Sequence, residues 1–547
     1  MPTEEIPVSL GLWLVAFLPL AAILVLLVGL RWKAATAAPV GYLLAVVAAF
    51  LVFRTPARIV ALQTVKGIWD AAFILYVIVP ALFLYEVSDE AGAFDTLRIG
   101  IESYTPNNLL HILAFGWVFA SFLQSITGFG APIAVTAPLL VAVGVRPLWA
   151  VVIPLIGHAW ANTFGTLAVA WEGLVLVTEM ESPAVAARIA AVMLLLTNLA
   201  AGFIIAWLYG RGKGVREALP AILIVGAIHG VGQLILAPLL PTVAAFIPAT
   251  VAVGVTLWLA RTSWYSGPSE VAESQVMEPG EQEEQGRAAE EREEMHMPLW
   301  LAFVPYISLV VLIVVVLLIP PVRSALETFQ IGLPFPRLET GYGVVTEADE
   351  SYSAFSPLTH PGTFLLASGV IAYIMLRIWG GLSRDRLDEI LEDTIRASIP
   401  SAMALLALVP LATVMSGSGQ VRELALGIAA VATGPVYALL APVVGALGAF
   451  MTSSNLSSNI LFGALQQQTA TALNLSAAVV LAAQTVGAAV TNSIAPGNVL
   501  LGTGSVGLPG HTGDVIRKTI IYTAISVALA GVVSLVVILG FAGLGGG

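Results

Sequence analysis

Residues 91–101 read AGAFDTLRIGI, and residues 418–428 read SGQVRELALGI. At an offset of 327 residues, Gly92 and Gly419, Leu97 and Leu424, Gly100 and Gly427, and Ile101 and Ile428 are identical pairs. Four matches in eleven positions would mean little alone, but the order of the surrounding segments repeats too. An apolar run at 34–53 precedes a charged short helix at 54–66, and one at 362–380 precedes a charged helix at 383–396. The apolar runs at 68–87 and 108–124 match those at 399–416 and 424–448. Stretches rich in Gly, Pro, Ser and Asn follow at 125–145 and 449–475, and long apolar segments follow those in turn. The chain therefore reads as one structural plan used twice.

Composition fixes the solvent. The 547 residues are 58% hydrophobic and 10% charged, with a mean hydropathy of +0.93. Soluble domains carry about 25% charge and about 45–50% apolar residues. An ordinary soluble enzyme, a disordered chain and a coiled coil are excluded, because so much apolar surface cannot be enclosed in water. A membrane-spanning helix needs about 20 mostly apolar residues. Such runs stand near 8–30, 34–53, 68–87, 108–124, 147–178, 185–209, 218–238, 240–260, 298–319, 362–380, 399–416, 424–448, 476–502 and 518–544. Strands of a membrane barrel would instead alternate over segments of about 10 residues. The expected fold is an all-α polytopic membrane protein with about 12–14 transmembrane helices.

The N-terminal flank, Glu4 and Glu5, is not basic, and the run from Val8 to Leu30 is long enough to span, so no cleaved signal is expected. Arg31 and Lys33 follow it and favour a cytoplasmic first loop, in a multi-pass protein of the cytoplasmic (cell) membrane. The net charge is −11, yet residues 270–294 alone hold ten Glu and two Arg. Residues 261–297 thus read as a solvated acidic linker. No basic patch with interleaved aromatics exists, so nucleic acid is not a partner. Cysteine is absent, which excludes disulfides and thiolate metal sites. A polar stretch at 321–361 carries Phe329, Phe335, Tyr342 and Tyr352 and is expected to fold over the mouth of the protein.

The expected organisation is a first repeat over 1–217 with a re-entrant hairpin at 125–145, connecting transmembrane helices at 218–260, the acidic linker, and a second repeat over 298–547 with a hairpin at 449–475. Each repeat also carries a broken helix. Such repeats mark many secondary transporters. Inverted repeats need an odd number of crossings between equivalent elements. From 34–53 to 362–380 the runs make eight steps, so either one segment is miscounted, with 218–260 the first suspect, or the repeats run parallel.

Residues 424–513 and 103–145 hold no Asp, Glu, Lys or Arg, yet they carry the most polar, turn-prone motifs. The first half has Gln124-Ser-Ile-Thr-Gly-Phe-Gly-Ala-Pro132 and His158-Ala-Trp-Ala-Asn-Thr-Phe-Gly165; the second has Thr452-Ser-Ser-Asn-Leu-Ser-Ser-Asn459 and Thr491-Asn-Ser-Ile-Ala-Pro-Gly-Asn498. In a bilayer, unwound backbone is tolerated only where it lines a cavity or is packed in protein. A broken helix offers free N–H groups and the positive end of its dipole to an anion. Opposing carbonyls and hydroxyls can hold a cation. Small residues also serve close helix packing, but four such motifs in repeat-related places point to a site. The substrate-binding candidates are Thr127, Gly128, Gly130, Asn162, Thr163, Ser457, Ser458, Asn459, Asn492 and Ser493. The coupling-ion candidates are Gln124, His158, Ser454, Asn455 and Thr491. His229, near Gln233, reads as a core histidine, while Asp70, Glu86, His111 and Arg188 read as interfacial residues at span ends. The motifs HExxH, GxSxG and GxxxxGK[ST] are absent, so neither an enzyme nor a cofactor is expected, and no metal other than Na⁺.

The run from Gly67-Ile68-Trp69 through Gly92-Ala93-Phe94-Asp95 to Gly128-Phe129-Gly130-Ala131-Pro132 resembles the L-lactate permease family. So do Pro138-Leu139-Leu140-Val141, Phe164-Gly165, Ser457-Ser458-Asn459, Leu461-Phe462-Gly463-Ala464-Leu465-Gln466 and Ile494-Ala495-Pro496, across nearly the whole chain. The resemblance implies import of lactate, glycolate and similar 2-hydroxy monocarboxylates by proton symport. Similarity to the broader group of ion transporters with paired hairpins implies a homodimer with an elevator-like transport domain. The family usually has Glu where Gln124 stands, Asp at Asn455 and Lys near Asn492; here all three are neutral. A fixed charge at mid-bilayer costs at least about 2.5–3.5 kcal/mol, so an anion crosses most cheaply with one H⁺ or Na⁺. Without those carboxylates a proton would ride on His158 or on the substrate. A Na⁺-coupled transporter of another organic anion is the alternative, and an anion channel a further one.

Overall fold

The computed structural model describes residues 9–544 apart from 103–104, 129, 179, 272, 279–296, 318 and 384. The first half contains α1 (Leu10–Leu24), α2 (Ala34–Leu51), α3 (Ala57–Glu90), α4 (Ala93–Glu102), α5 (Asn108–Ile126), α6 (Ala131–Ala142), α7 (Pro147–Gly157), α8 (Gly165–Leu176), α9 (Pro183–Leu236, broken at Gly210 and Arg211) and α10 (Phe246–Leu259). The second contains α11 (Val304–Leu317), α12 (Pro361–Trp379), α13 (Arg386–Ser418), α14 (Gln420–Val431), α15 (Gly434–Thr452), α16 (Asn455–Ala472), α17 (Ala477–Thr491), α18 (Pro496–Ser505) and α19 (Thr512–Leu544). From α2 to α8 and from α12 to α18 the elements correspond one to one, and the first half of α9 corresponds to α19. Among the described residues, 11 helices are long and apolar enough to cross a membrane, or up to 13 if each bent pair is one span. The chain is a multi-pass membrane protein, as composition demands.

The repeated motif at 91–101 and 418–428 earns its glycines. Gly92 (φ +69°) and Gly419 (φ +88°) follow α3 and α13 in the left-handed conformation that stops a helix and that glycine adopts without a Cβ penalty. The charged segments 54–66 and 383–396 are not separate helices. Residues 57–66 and 386–396 instead form the first turns of the continuous α3 (34 residues) and α13 (33 residues).

The polar stretches 125–145 and 449–475 are not hairpins by themselves. Each supplies the tip and second arm of a helical hairpin whose first arm is the preceding apolar helix, α5 or α15. At the base of the first hairpin, Asn107 Nδ2 donates to the carbonyl of Gly267 (3.3 Å) and to Glu217 (3.0 Å). At its other end, Val145 pairs with Met277, and Arg146 N donates to the carbonyl of Val276 (2.8 Å). Both ends thus meet one segment, 265–277. In the second hairpin a Cβ on Gly434 would lie 2.9 Å from Leu475, so its two ends also adjoin.

That same segment corrects the reading of the linker. Instead of a solvated tether, the described residues of 261–278 pack against the body: Tyr265 is buried, its hydroxyl donates to the carbonyl of Glu217 (3.0 Å), and Ser274 donates to that of Tyr209 (2.6 Å). The apolar side chains of Tyr265, Val271 and Val276 outweigh the flanking charge. The dense Glu run falls within 279–296, outside the described residues.

Within 321–361, strand β1 (Ile331–Phe335) pairs with β4 (Asp349–Phe355), and β2 (Leu338–Glu339) with β3 (Val345–Thr346), all antiparallel. This flap lies on α3. Tyr352 donates to Asp70 Oδ2 (2.7 Å), and the Lys66 ammonium sits 4.2 Å from the Tyr352 ring centre and 5.0 Å from that of Phe335. Asp70 is therefore fully buried under the flap, not interfacial. Tyr352→Phe should release the flap by removing a partner from a buried carboxylate, at about 1–3 kcal/mol. Faster proteolysis within 331–355, with the membrane body intact, is the expected result.

Helices α1–α3 pack with α11–α13, and α5–α10 pack with α15–α19, so each of two bundles mixes both halves of the chain. The bundles meet where α8 packs on α3 and α16 packs on α13 and α14. The repeat mates of those contact helices, α18 and α6, pack on each other and on α7 instead, leaving Leu500 and Leu501 exposed.

Candidate functional site

The four motifs meet. After α7 the chain leaves the helix at His158, makes one tight turn over Ala159–Ala161, and restarts as α8 at an angle of 55°. Thr166, Leu167 and Ala168 have left-handed φ of 49°, 51° and 67°. In the second half the equivalent break lies between Thr491 and Pro496, where Pro496 opens α18. The hairpin tips fill these breaks. A Cβ on Gly128 would lie 2.2 Å from Thr166 Oγ1, and one on Gly165 2.7 Å from the carbonyl oxygen of Gln124, so tip and break touch through backbone. The second half makes the matching contact: Gly497 N donates to Ser453 Oγ (2.9 Å).

Between tips and breaks lies a cavity of about 60 Å³. The first half lines it with Gln124, Gly130, His158, Asn162, Gly165, Thr166, Val169 and Ala170; the second with Ser453, Ser454, Asn455, Leu456, Asn492 and Asn498. Four helix N-termini reach it, because Gly130, Val169, Asn455 and Asn498 stand at or beside the starts of α6, of the right-handed part of α8, of α16 and of α18. Their dipoles give the cavity positive potential without a basic side chain. Among the described residues, His158 is the one titratable side chain in the lining.

Of the residues predicted from sequence, Gln124, Gly130, His158, Asn162, Ser454, Asn455 and Asn492 line this cavity. Thr163 and Asn459 stand just behind it in a buried network. Asn459 Nδ2 donates to the carbonyl of Ala170 (2.8 Å) and to Thr485 Oγ1 (2.9 Å), Thr163 meets Thr485 (3.3 Å), and Asn455 Nδ2 reaches Thr163 (3.5 Å). Gly128 provides the close approach to Thr166, and Ser457 N is capped by Ser454 Oγ (3.2 Å). The hydroxyls of Thr127, Ser458, Thr491 and Ser493 are spent on the carbonyls of Leu123, Gly445, Gly487 and Val490 (2.7–3.0 Å), so they fasten helices and do not line the cavity. Sequence reading missed Gly165, Thr166, Val169, Ala170, Ser453, Leu456 and Asn498 as lining residues. Gly165, Ser453, Leu456 and Asn498 lie inside the quoted motifs, whereas proximity to Gly165 is the only signal that Thr166, Val169 and Ala170 carry.

Two features set the chemistry. The oxygens Asn455 Oδ1, Asn459 Oδ1 and Asn492 Oδ1 are buried with no partner. The Asn459 amide is oriented by its two donated bonds, which leaves Oδ1 as a free acceptor. His158 Nδ1 lies 2.6 Å from the carbonyl of Pro154 and, since a carbonyl only accepts, carries the proton there. In the neutral ring, Nε2 then holds an open lone pair. The site can thus receive an anion at its helix ends, a hydroxyl proton at an asparagine oxygen, and a proton at one imidazole.

A family model described as L-lactate permease matches residues 13–540. The L-lactate permease of Salmonella typhi is 28% identical over 95% of each chain, and the glycolate permease of Escherichia coli is 27% identical over 97% of this chain and 96% of its own. Among solved structures, the Alcanivorax borkumensis YdaH transporter covers 86% of each chain at 15% identity and a TM-score of 0.43, a likeness too slight to build on. With a match that runs from the first membrane helix into the last, and relatives aligned nearly end to end, the chain belongs to the L-lactate permease family.

Proposed function

We propose that this multi-pass protein of the cell membrane is a symporter that carries small 2-hydroxy monocarboxylates, lactate or glycolate first, together with one proton. The observation that carries the reading is the convergence of four chain breaks, two from each half, on one small cavity with four helix N-termini and a single titratable side chain. The substrate carboxylate would accept from the free N–H groups at those helix ends. Its 2-hydroxyl would donate to an unpaired asparagine oxygen, and the proton would ride on His158 Nε2, making the loaded carrier electroneutral. That relatives are named for lactate and glycolate supports the same substrate class.

In this reading both hairpins are re-entrant, because their ends adjoin on one side while their tips lie at the central cavity. The steps from α2 to α12 then run through α3, the broken α7–α8, the two parts of α9, α10 and α11. That is seven crossings rather than eight, the odd number that inverted repeats require. Treating α5 as a separate span produced the even count. The bundle holding the site leans on the other through α8 and α16 and not equally through their mates. Such asymmetry supports an elevator caught at one end of its travel.

A specific observation favours a second reading. The three unpaired asparagine oxygens, with Thr163 and Thr485 beside them, are the ligand type a Na⁺ ion takes, and Na⁺ would replace the proton in transport of another organic anion. Purified protein in sealed vesicles decides between them. An inward pH gradient should drive saturable uptake of labelled lactate that a protonophore abolishes and a Na⁺ gradient leaves unchanged. Uptake that follows Na⁺ alone selects the second reading, indifference to both gradients removes symport, and flux that never saturates indicates a channel.

A further inference from the structure

Behind the cavity lies a polar pair that the site does not use. His229 and Gln233, one turn apart on α9, are both fully buried, and all four of their side-chain polar atoms lack a partner. Buried polar groups are almost always hydrogen-bonded, and a cluster of exceptions at one spot marks a bound water or a functional group. The neighbours that could pair with them are committed elsewhere. Trp160 Nε1 donates to Ser121 Oγ (2.9 Å), and Trp117 Nε1 donates to Asn198 Oδ1 (2.8 Å). What these indoles offer His229 is their rings. Trp160 stacks on the imidazole with centroids 4.6 Å apart and planes at 26°, and Trp117 meets it at 5.7 Å and 90°. Trp160 also sits two residues beyond His158, in the tight turn that breaks the helix at the cavity.

We infer that His229, hydrogen-bonded through an internal water to Gln233, is a second proton-holding site that exchanges its proton with His158 across Trp160. This rests on the proton-coupled reading above and adds the route by which the proton reaches the substrate site. A hydronium ion gives its proton to a ring nitrogen of His229. His229 then returns a proton to the internal water as that water gives one to Nε2 of His158, whose Nδ1–H stays on the Pro154 carbonyl, so His229 and the water end neutral and the charge rests on His158. The proton leaves when the substrate does. No competing charge stands on this face. The elements packed against this helix are α5, α7 and the break that follows it, α10, α17, α19 and the short turn before α10. Their titratable or charged residues are His111 on α5, His158 at the break, and Asp514, Arg517, Lys518 and Tyr522 on α19, the first three in its opening turns. On α9 itself, whose first part folds back so that Leu195 lies against Gly230 and Leu199 against Gly226, the nearest are the exposed Arg188, about two turns from the level of His229, and Glu217 and Arg216, about three turns away.

Two activities of the vesicle-reconstituted protein separate a proton relay from a packing role. Lactate counterflow exchanges substrate without net proton movement, whereas accumulation under a pH gradient requires it. His229→Phe keeps the stacked ring and removes both nitrogens. It should retain counterflow within about twofold of the unmodified protein yet lose pH-driven accumulation by about tenfold or more, and Gln233→Leu should show a weaker form of the same split. If His229→Phe fails to fold, His229→Gln, which cannot carry a proton, must show it. Accumulation by His229→Phe equal to the unmodified protein across pH 5 to 8 would overturn the relay, as would equal loss of both activities in a well-folded variant. If the unmodified protein itself shows no lactate counterflow, or accumulates lactate on Na⁺ alone, the underlying functional reading fails instead.

Discussion

Gly165→Ala is expected to cut the initial rate of lactate uptake by about a hundredfold. The added methyl group would stand 2.7 Å from the carbonyl oxygen of Gln124 and 3.4 Å from its carbon, a backbone contact that no rotamer change relieves. The hairpin tip and the start of α8, which form one wall of the cavity, must move apart. Overpacking of this kind costs about 1–3 kcal/mol in stability, which a protein of this size survives. A displacement of about 1 Å at a site that depends on aligned dipoles is worth about 10²-fold in rate. Gly254→Ala is the control, because a Cβ on that residue of α10 meets nothing within 4 Å, and its uptake should be normal. Full uptake in Gly165→Ala would mean that tip and break need not touch.

The second large effect comes from a pair of asparagines that look alike in sequence and differ in structure. Asn459→Leu removes the amide that joins the Ala170 carbonyl to Thr485, so two buried groups each lose a hydrogen bond and Thr485 keeps only its contact with Thr163. The cost is about 1–3 kcal/mol for each, so both transport and melting temperature should fall. The Asn492 side-chain amide makes no such bonds among the described residues, and its oxygen is free at the cavity. Asn492→Leu should therefore abolish lactate binding with little change in melting temperature. Calorimetric binding and thermal unfolding of the two variants read the contrast directly. Undiminished binding in Asn492→Leu would move the site elsewhere.

The sequence carries much of this fold on its surface because breaking a helix in a bilayer demands unusual residues. Gly92 and Gly419 announce the ends of α3 and α13, and the Gly, Asn and Pro clusters announce both tips and both breaks. What misleads is hydropathy. Helix α5 is buried on every side, and a 19-residue apolar arm enclosed in protein is indistinguishable by composition from one that faces lipid. In the re-entrant arrangement proposed above, that single ambiguity turns seven crossings into eight. The hydroxyls of Thr127, Ser458, Thr491 and Ser493 carry the same polar signal as the lining residues, yet each bonds to a helix carbonyl, a choice set by rotamer and packing. Val169 and Ala170 line the cavity with no signal of their own. His229 reads as an ordinary core histidine until its missing partners can be seen.

The central claim is that both halves of the chain face one bound organic anion. The chain has no cysteine of its own, so Val169→Cys on α8 and Leu456→Cys on α16 would each present a single thiol to the cavity. Labelling of each variant by a small, membrane-permeant thiol reagent, with and without saturating lactate, tests the claim most directly. Lactate should slow labelling at both positions to a similar degree and at matching concentrations. Protection at neither position, in variants that still take up lactate, would contradict a shared site.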